Sequence, residues 1–191
     1  MVSILNKQLL NTSKVVDTIM TVLVIIGAFF VPTFLAKIVP LGAYQQVIVG
    51  SIVNMSLILT ALYTKGIIKT LAIVTLPSVS TILGGVLFED ITLYAKVMIP
   101  AIWLGNFILV YLYKCLFLKY KYNYIISAIF STFLKVMVIY LGFTMMIKVM
   151  SVPENVIQTL SVSMGVMQAI TATNGSIIAF SVMKVFNKNK V

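Results

Sequence analysis

The chain has 191 residues, of which 61% are hydrophobic and only 9% charged, and its formal net charge is +10. A soluble domain usually carries about 25% charged residues, so this composition excludes an ordinary soluble fold. The sequence contains no histidine, which removes the commonest general base and the commonest metal ligand. Its single cysteine, Cys115, excludes an internal disulfide.

Six long apolar runs occupy most of the chain, and each is long enough to cross about 30 Å of hydrocarbon as a helix. The runs are continuous rather than alternating, which favours membrane helices over a membrane β-barrel. We therefore predict a single domain, an all-α integral membrane bundle of six transmembrane helices with short loops. The predicted spans cover residues 15–36, 43–64, 67–88, 91–113, 122–147 and 156–183.

All fourteen basic residues are lysines, and their placement predicts an orientation. Ten of them lie on one side of the predicted bundle, whereas Lys37 and Lys148 lie on the other side. Because lysine is enriched in short cytoplasmic loops, both termini are predicted to be cytoplasmic. The ten lysines are Lys7, Lys14, Lys65, Lys69, Lys114, Lys119, Lys121, Lys184, Lys188 and Lys190.

The positive charge does not indicate a nucleic-acid partner, because lysines that flank membrane helices account for it. No compact soluble face remains to present a basic patch to nucleic acid. The absence of arginine, together with much isoleucine and asparagine, is typical of an AT-rich bacterial genome. The predicted location is therefore a bacterial plasma membrane.

Two lysines, Lys96 and Lys135, lie inside the apolar runs. Lys135 is near the middle of the fifth predicted span, where an ammonium costs about 2.5–3.5 kcal/mol on insertion scales. Either an anionic ligand completes the charge, or the long side chain reaches the interface or a backbone carbonyl. Lys96 lies close to the outer end of its span, which favours a structural role. The four acids all lie near span ends: Asp17, Glu89, Asp90 and Glu154.

Other polar side chains are predicted inside the bundle, most of them at the depth of Lys135. Singly, such residues bond one helix to another at about 0.6–2 kcal/mol each. As a set they favour a polar cavity that binds a small solute. We predict that Lys135 faces an anionic group of this solute, and no cofactor or metal is predicted. The remaining candidate substrate-binding residues are Asn54, Ser78, Ser80, Gln168, Lys96 and Asn106.

An enzyme is not predicted. The sequence has no Walker A motif for ATP hydrolysis and no pair of carboxylates within a span. A hydrolytic dyad of Lys135 with Ser78 or Ser80 stays open as a weaker alternative, because a buried lysine is able to act as a base. Another alternative is a membrane partner without transport function, in which the polar residues only hold helices together.

Short stretches of four spans combine glycine, proline and polar residues. They are Gly50-Ser-Ile-Val-Asn54, Leu76-Pro77-Ser78-Val79-Ser80 with Gly84-Gly85, Pro100-Ala-Ile-Trp103-Leu-Gly105-Asn106, and Gly165 to Gln168 with Thr171-Ala172. Together with six spans and two cytoplasmic termini, these stretches resemble the substrate-binding S component of energy-coupling factor (ECF) vitamin transporters. The resemblance covers nearly the whole chain.

The resemblance implies a ligand site toward the outer face that an outer loop closes, and uptake of a vitamin-like solute. It also implies partners, namely a membrane-embedded coupling subunit and two ATPases that drive toppling of the binding subunit. The first span departs from the family. Many S components carry an Ala-x-x-x-Ala stripe there for docking, whereas this chain offers Gly27, Ala28 and Ala36 without that spacing.

Overall fold

The computed structural model describes residues 14–38, 42–84 and 92–188, and within these ranges the chain is helical without a strand. The all-α prediction is thus confirmed for the described residues. A π-helical turn, Tyr113–Lys119, continues the fifth helix without a break. The described helices are α1 Lys14–Ile38, α2 Gly42–Tyr63, α3 Ile67–Gly84, α4 Thr92–Val97, α5 Ile99–Leu112, α6 Tyr124–Val149, α7 Glu154–Met164 and α8 Val166–Lys188.

Four helical stretches within the described residues are long and apolar enough to cross a membrane. Two further apolar stretches are shorter, and they fall in the first and third predicted spans. The end of the third predicted span (residues 85–88), the start of the fourth (residue 91), and Glu89 and Asp90 lie outside the described residues. The four long stretches are Tyr44–Tyr63, Ile99–Lys119, Tyr124–Val149 and Glu154–Val185, and the shorter two are Asp17–Phe30 and Ile67–Ser80.

The first half of helix α6 has apolar side chains outside and polar side chains inside. The side chains of Ile129 and Phe133 are 61% and 60% exposed. The buried face instead carries Ser127, Ser131 and Lys135. A surface helix of a water-soluble protein has the opposite arrangement. A surrounding lipid bilayer explains this arrangement, because the polar side chains of membrane helices face the interior of the bundle.

Helix α2 lies at the centre of the helix packing, where it contacts α1, α3, α5 and α8. Its most intimate contact is with α8 at Gly175. A Cβ atom on Gly175 would lie 2.6 Å from the Cβ of Asn54 and 2.7 Å from the backbone nitrogen of Met55. No side chain fits in this gap, so the two helices meet backbone to backbone at the level of Asn54.

One end of the bundle gathers several of the lysines. The Asp17 carboxylate of α1 binds the Lys69 ammonium at 2.7 Å and accepts the backbone N–H of Lys65 at 2.8 Å. Lys114, in the π-helical turn, donates to the hydroxyl of Thr70 at 2.9 Å. Lys65 and Lys69 lie near the start of the third predicted span, and Lys114 follows the fourth. Lysines that the sequence assigns to the same side of the bundle therefore meet at one end.

Candidate functional site

The Lys135 side chain is buried in the middle of α6. At 1.5 Å per residue it lies about 17 Å along a helix of 26 residues. The residue is 2% exposed, and its ammonium donates to Oδ1 of Asn54 at 2.5 Å. The ammonium thus points into the bundle. This placement excludes the alternative in which the side chain extends to the membrane interface.

Asn54 is held in place by two further hydrogen bonds. Its side-chain nitrogen donates to the Gly50 carbonyl of α2 at 2.8 Å and to the Thr171 hydroxyl of α8 at 3.2 Å. Thr171 also donates to the main-chain carbonyl of Gln168 at 3.3 Å. These bonds orient the amide so that its oxygen faces Lys135. The resulting polar chain joins α6, α2 and α8.

Helix α5 packs against the turn of α6 that carries Lys135. A Cβ atom on Gly105 would lie 2.6 Å from Cγ1 of Ile139 and 3.2 Å from the main-chain oxygen of Lys135. Only glycine allows this approach. The backbone of the Lys135 turn is therefore fixed from the α5 side, while the side chain extends toward α2.

Asn106, although adjacent to Gly105, does not join the Lys135 group. Its amide nitrogen donates to the Val74 carbonyl of α3 at 3.4 Å. Asn106 thus bonds α5 to α3, whereas the sequence prediction places it in the solute site.

Three further candidates also lie outside the Lys135 group among the described residues. The Ser80 hydroxyl donates to the Phe29 carbonyl of α1, so this side chain serves the contact between α3 and α1. Ser78 is half-buried on α3, and Lys96 is exposed on α4. The structure brings together Lys135 and Asn54, with Gln168 reached through its main chain. Within the described residues, Lys135 is hydrogen-bonded to Asn54 and not to Ser78 or Ser80.

Among the described residues, no carboxylate balances the charge of Lys135. Of the two acids that the structure describes, Asp17 is bound to Lys69 and Glu154 is exposed at the start of α7. The ammonium has three N–H groups, and Asn54 is its one described acceptor. Because a buried cation without a counter-charge is costly, this position is suited to binding an anion.

Ser131 is a site residue that the sequence prediction missed. It precedes Lys135 by one helical turn on the same buried face of α6. Its side chain is fully buried, and its hydroxyl has no hydrogen-bond partner in the described part of the chain. The i, i+4 spacing of Ser127, Ser131 and Lys135 is visible in the sequence and is the signal that would have identified it.

Helix α7 is hydrogen-bonded to α2 near the end of α2 that lies opposite Asp17. Gln46 of α2 donates to the Ser163 carbonyl at 3.4 Å, and the Ser163 hydroxyl donates back to the Gln46 side-chain oxygen at 3.2 Å. Gly165 separates α7 from α8, and its ψ of −94° is far from helical geometry. A single residue therefore joins α7 to the helix that carries Thr171.

No protein-family model matches the chain, and comparison with curated proteins and with solved structures finds no significant match.

Proposed function

We propose that the chain is the membrane-embedded binding subunit of an uptake system for a small anionic or polar solute. The observation that carries this proposal is the Lys135 ammonium, which is buried at mid-helix and bonded to the neutral side chain of Asn54. A bound anion would supply the missing charge and offset the cost of burying the ammonium in the membrane.

In this proposal the chain forms a six-span bundle in a bacterial plasma membrane, with both termini in the cytoplasm. Four membrane-length helical stretches and two shorter apolar ones within the described residues support this count. The orientation follows from the lysine-rich loops. Lys65, Lys69 and Lys114 meet at one end of the bundle, which the preference for cytoplasmic lysine makes the inner end.

The solute enters from the opposite, outer end. Because Lys135 is buried, the described conformation is closed, and entry requires a helix to move. Helix α7 is suited to this movement, since Gly165 separates it from α8 and its contact with α2 includes the paired hydrogen bonds of Gln46 and Ser163. The movement of α7 would open a path to Asn54, which lies two helical turns beyond Gln46 on the same side of α2.

Partner proteins supply the energy for uptake in this proposal, because the sequence has no Walker A motif of its own. The resemblance to ECF S components names these partners as a membrane-embedded coupling subunit and a pair of ATPases. It also makes a vitamin-like solute the expected cargo.

The test is native purification of the tagged full-length chain, followed by identification of the proteins and small molecules that accompany it. We expect an ATPase pair, a second membrane subunit and a small anion. A Lys135→Ala variant should fold, as judged by thermal unfolding in detergent, but lose the anion. Retention of the same anion by this variant would remove Lys135 from the site.

A second candidate function is that of a membrane partner without transport activity. It is favoured by the polar chain itself, because Lys135, Asn54 and Thr171 form a continuous series of bonds that ends on the Gln168 carbonyl inside the bundle. In that case the native preparation contains homo-oligomers without a small molecule. Lys135→Ala would then change only the stability of the protein.

A further inference from the structure

We propose that the solute carries a single carboxylate on an apolar body, and that Ser131 and Lys135 together bind this carboxylate. This inference rests on the proposed function and deepens it by naming the chemical class of the solute. Three observations carry it: the charge of the site, an unsatisfied hydroxyl one helical turn before Lys135, and an apolar cluster on the other side of Lys135 along α6.

The site has one positive charge, on Lys135, which a ligand with one negative charge would balance. The buried charged side chains among the described residues are Lys135 and Asp17, and Asp17 is bound to Lys69 at the inner end. A monocarboxylate neutralises one ammonium. A phosphate carries about −1.5 to −2 charges at neutral pH, so it would leave excess negative charge buried in the membrane, which is costly.

The Ser131 hydroxyl is available to complete a carboxylate site. In a helix the side chains tilt toward the N-terminus, so the Lys135 side chain leans toward the turn that carries Ser131. One carboxylate oxygen accepts an N–H of Lys135, and the other accepts the O–H of Ser131. Ser127, one turn earlier on the same face, differs because its hydroxyl already donates to the Asn123 carbonyl at 3.0 Å.

The region on the other side of Lys135 is apolar. The next buried residues along α6 are Ile139, Phe143 and Met146, which form a cluster with residues of α7 and of the α4–α5 junction. Methionine side chains adapt readily to ligands of different shape. The cluster also contains Met98, Val156, Leu160 and Met164.

This cluster connects the carboxylate position to the movement of α7. Leu160 and Met164 lie on α7, so displacement of that helix removes one wall of the cluster. A solute that follows this route would leave its apolar body against Ile139 and Phe143 when its carboxylate reaches Lys135.

The test uses the full-length protein in lipid nanodiscs, exposed to the small-molecule extract of bacterial cells. Molecules that the protein retains are identified by mass spectrometry and tested again as their methyl esters. We expect a monocarboxylate whose ester does not bind. Ser131→Ala should weaken its binding by about 10- to 100-fold, as expected for loss of a hydrogen bond to a charged group.

Ser127→Ala is the matched control, because it removes the same group from the same helix face one turn away. It should bind like the unmodified protein. Thermal unfolding separates binding from folding. Ser131→Ala should unfold at an unchanged or higher temperature, since it removes a buried hydroxyl that lacks a partner.

Two results would overturn the inference while the proposed function stands. One is a retained molecule that depends on Lys135 but is a phosphate, a dicarboxylate or uncharged. The other is a monocarboxylate that Ser131→Ala binds with unchanged affinity. If the protein retains nothing that depends on Lys135, the proposed function itself fails together with the inference.

Discussion

The ammonium of Lys135 donates to the side-chain oxygen of Asn54 at 2.5 Å, and the two residues are 81 positions apart in the sequence. The bond links α6 to the central helix α2, whose amide is itself fixed by Gly50 and Thr171. A neutral amide orients the ammonium without neutralising it. Among the described residues, the positive charge of Lys135 is therefore left without a counter-charge.

Replacing Lys135 with methionine shortens the side chain by one atom and removes its charge. We expect Lys135→Met to weaken solute binding by about 10- to 100-fold, the range for a hydrogen bond to a charged group. Its thermal unfolding temperature should stay the same or rise, because methionine needs no counter-charge in lipid. Lys148→Met, at an exposed position near the end of α6, is the control and should not affect binding. Equal affinities of both variants would contradict the prediction.

Asn54→Asp places a carboxylate beside the ammonium. The protein should then be stabilised by an internal ion pair, while a solute anion loses its place at Lys135. We expect a higher unfolding temperature together with loss of solute binding. Asn54→Leu removes the hydrogen bond to Lys135 without adding a charge. It should lower the stability of the protein by about 1–3 kcal/mol, because it leaves the ammonium unpaired. If Asn54→Asp binds the solute normally, the anion does not contact Lys135.

The contact between α2 and α8 tolerates no added atom at Gly175. A Cβ there would meet the Asn54 Cβ at 2.6 Å and the Met55 nitrogen at 2.7 Å. Gly175→Ala should therefore destabilise the protein by about 1–3 kcal/mol, as overpacking does. At Gly27 the nearest atom is the Ser56 Oγ at 3.6 Å, so Gly27→Ala should unfold near the original temperature. Similar losses for both variants would indicate a general effect of alanine.

The Asp17 carboxylate ties α1 to the turn that precedes α3. Asp17→Asn removes the ion pair with Lys69 and weakens the bond to the Lys65 N–H. We expect a loss of about 1 kcal/mol, because the Lys69 partner is partly exposed to solvent. Thermal unfolding at low and high salt measures it, and salt should reduce the difference. Glu154→Gln, at an exposed acid without a described ion pair, provides the comparison.

The orientation of the bundle is tested by cysteine labelling. In a Cys115→Ser background, Lys119→Cys and Ser151→Cys place single thiols at exposed positions beside opposite ends of α6. A membrane-impermeant maleimide should label residue 151 in intact cells and residue 119 only after lysis. The reverse pattern would place the termini outside.

The apolar runs predicted the helix bounds well where the ends of the apolar run coincide with the ends of the helix. The predicted span 43–64 corresponds to α2, and 122–147 corresponds to α6 with a shift of two residues. The fourth predicted span ends at 113, whereas the helix extends beyond this residue. Tyr113 and Phe117 pack into the core, so the helix continues to Lys119 although lysines interrupt the apolar run.

The site could be predicted only in part, because sequence position gives the depth of a residue but not the direction of its side chain. Asn54 and Lys135 share a depth and do meet. Ser80 lies at a similar depth, but α3 turns it toward α1. The interruption of the sixth predicted span at Gly165 was missed too, since glycine is common in membrane helices. Ser131 lies on the buried face of α6 with Ser127 and Lys135, and in an otherwise apolar run only their i, i+4 spacing indicates it.

The bond between Lys135 and Asn54 also bears on biogenesis. Asn54 leaves the ribosome 81 residues ahead of Lys135. A hydrogen-bond acceptor for the Lys135 ammonium is therefore already present when α6 enters the bilayer. Without α2, the insertion of α6 would meet a barrier of about 2.5–3.5 kcal/mol from its one central charge. A truncated chain that begins after α2 should insert α6 less efficiently in a translocation assay, and Lys135→Leu should restore it.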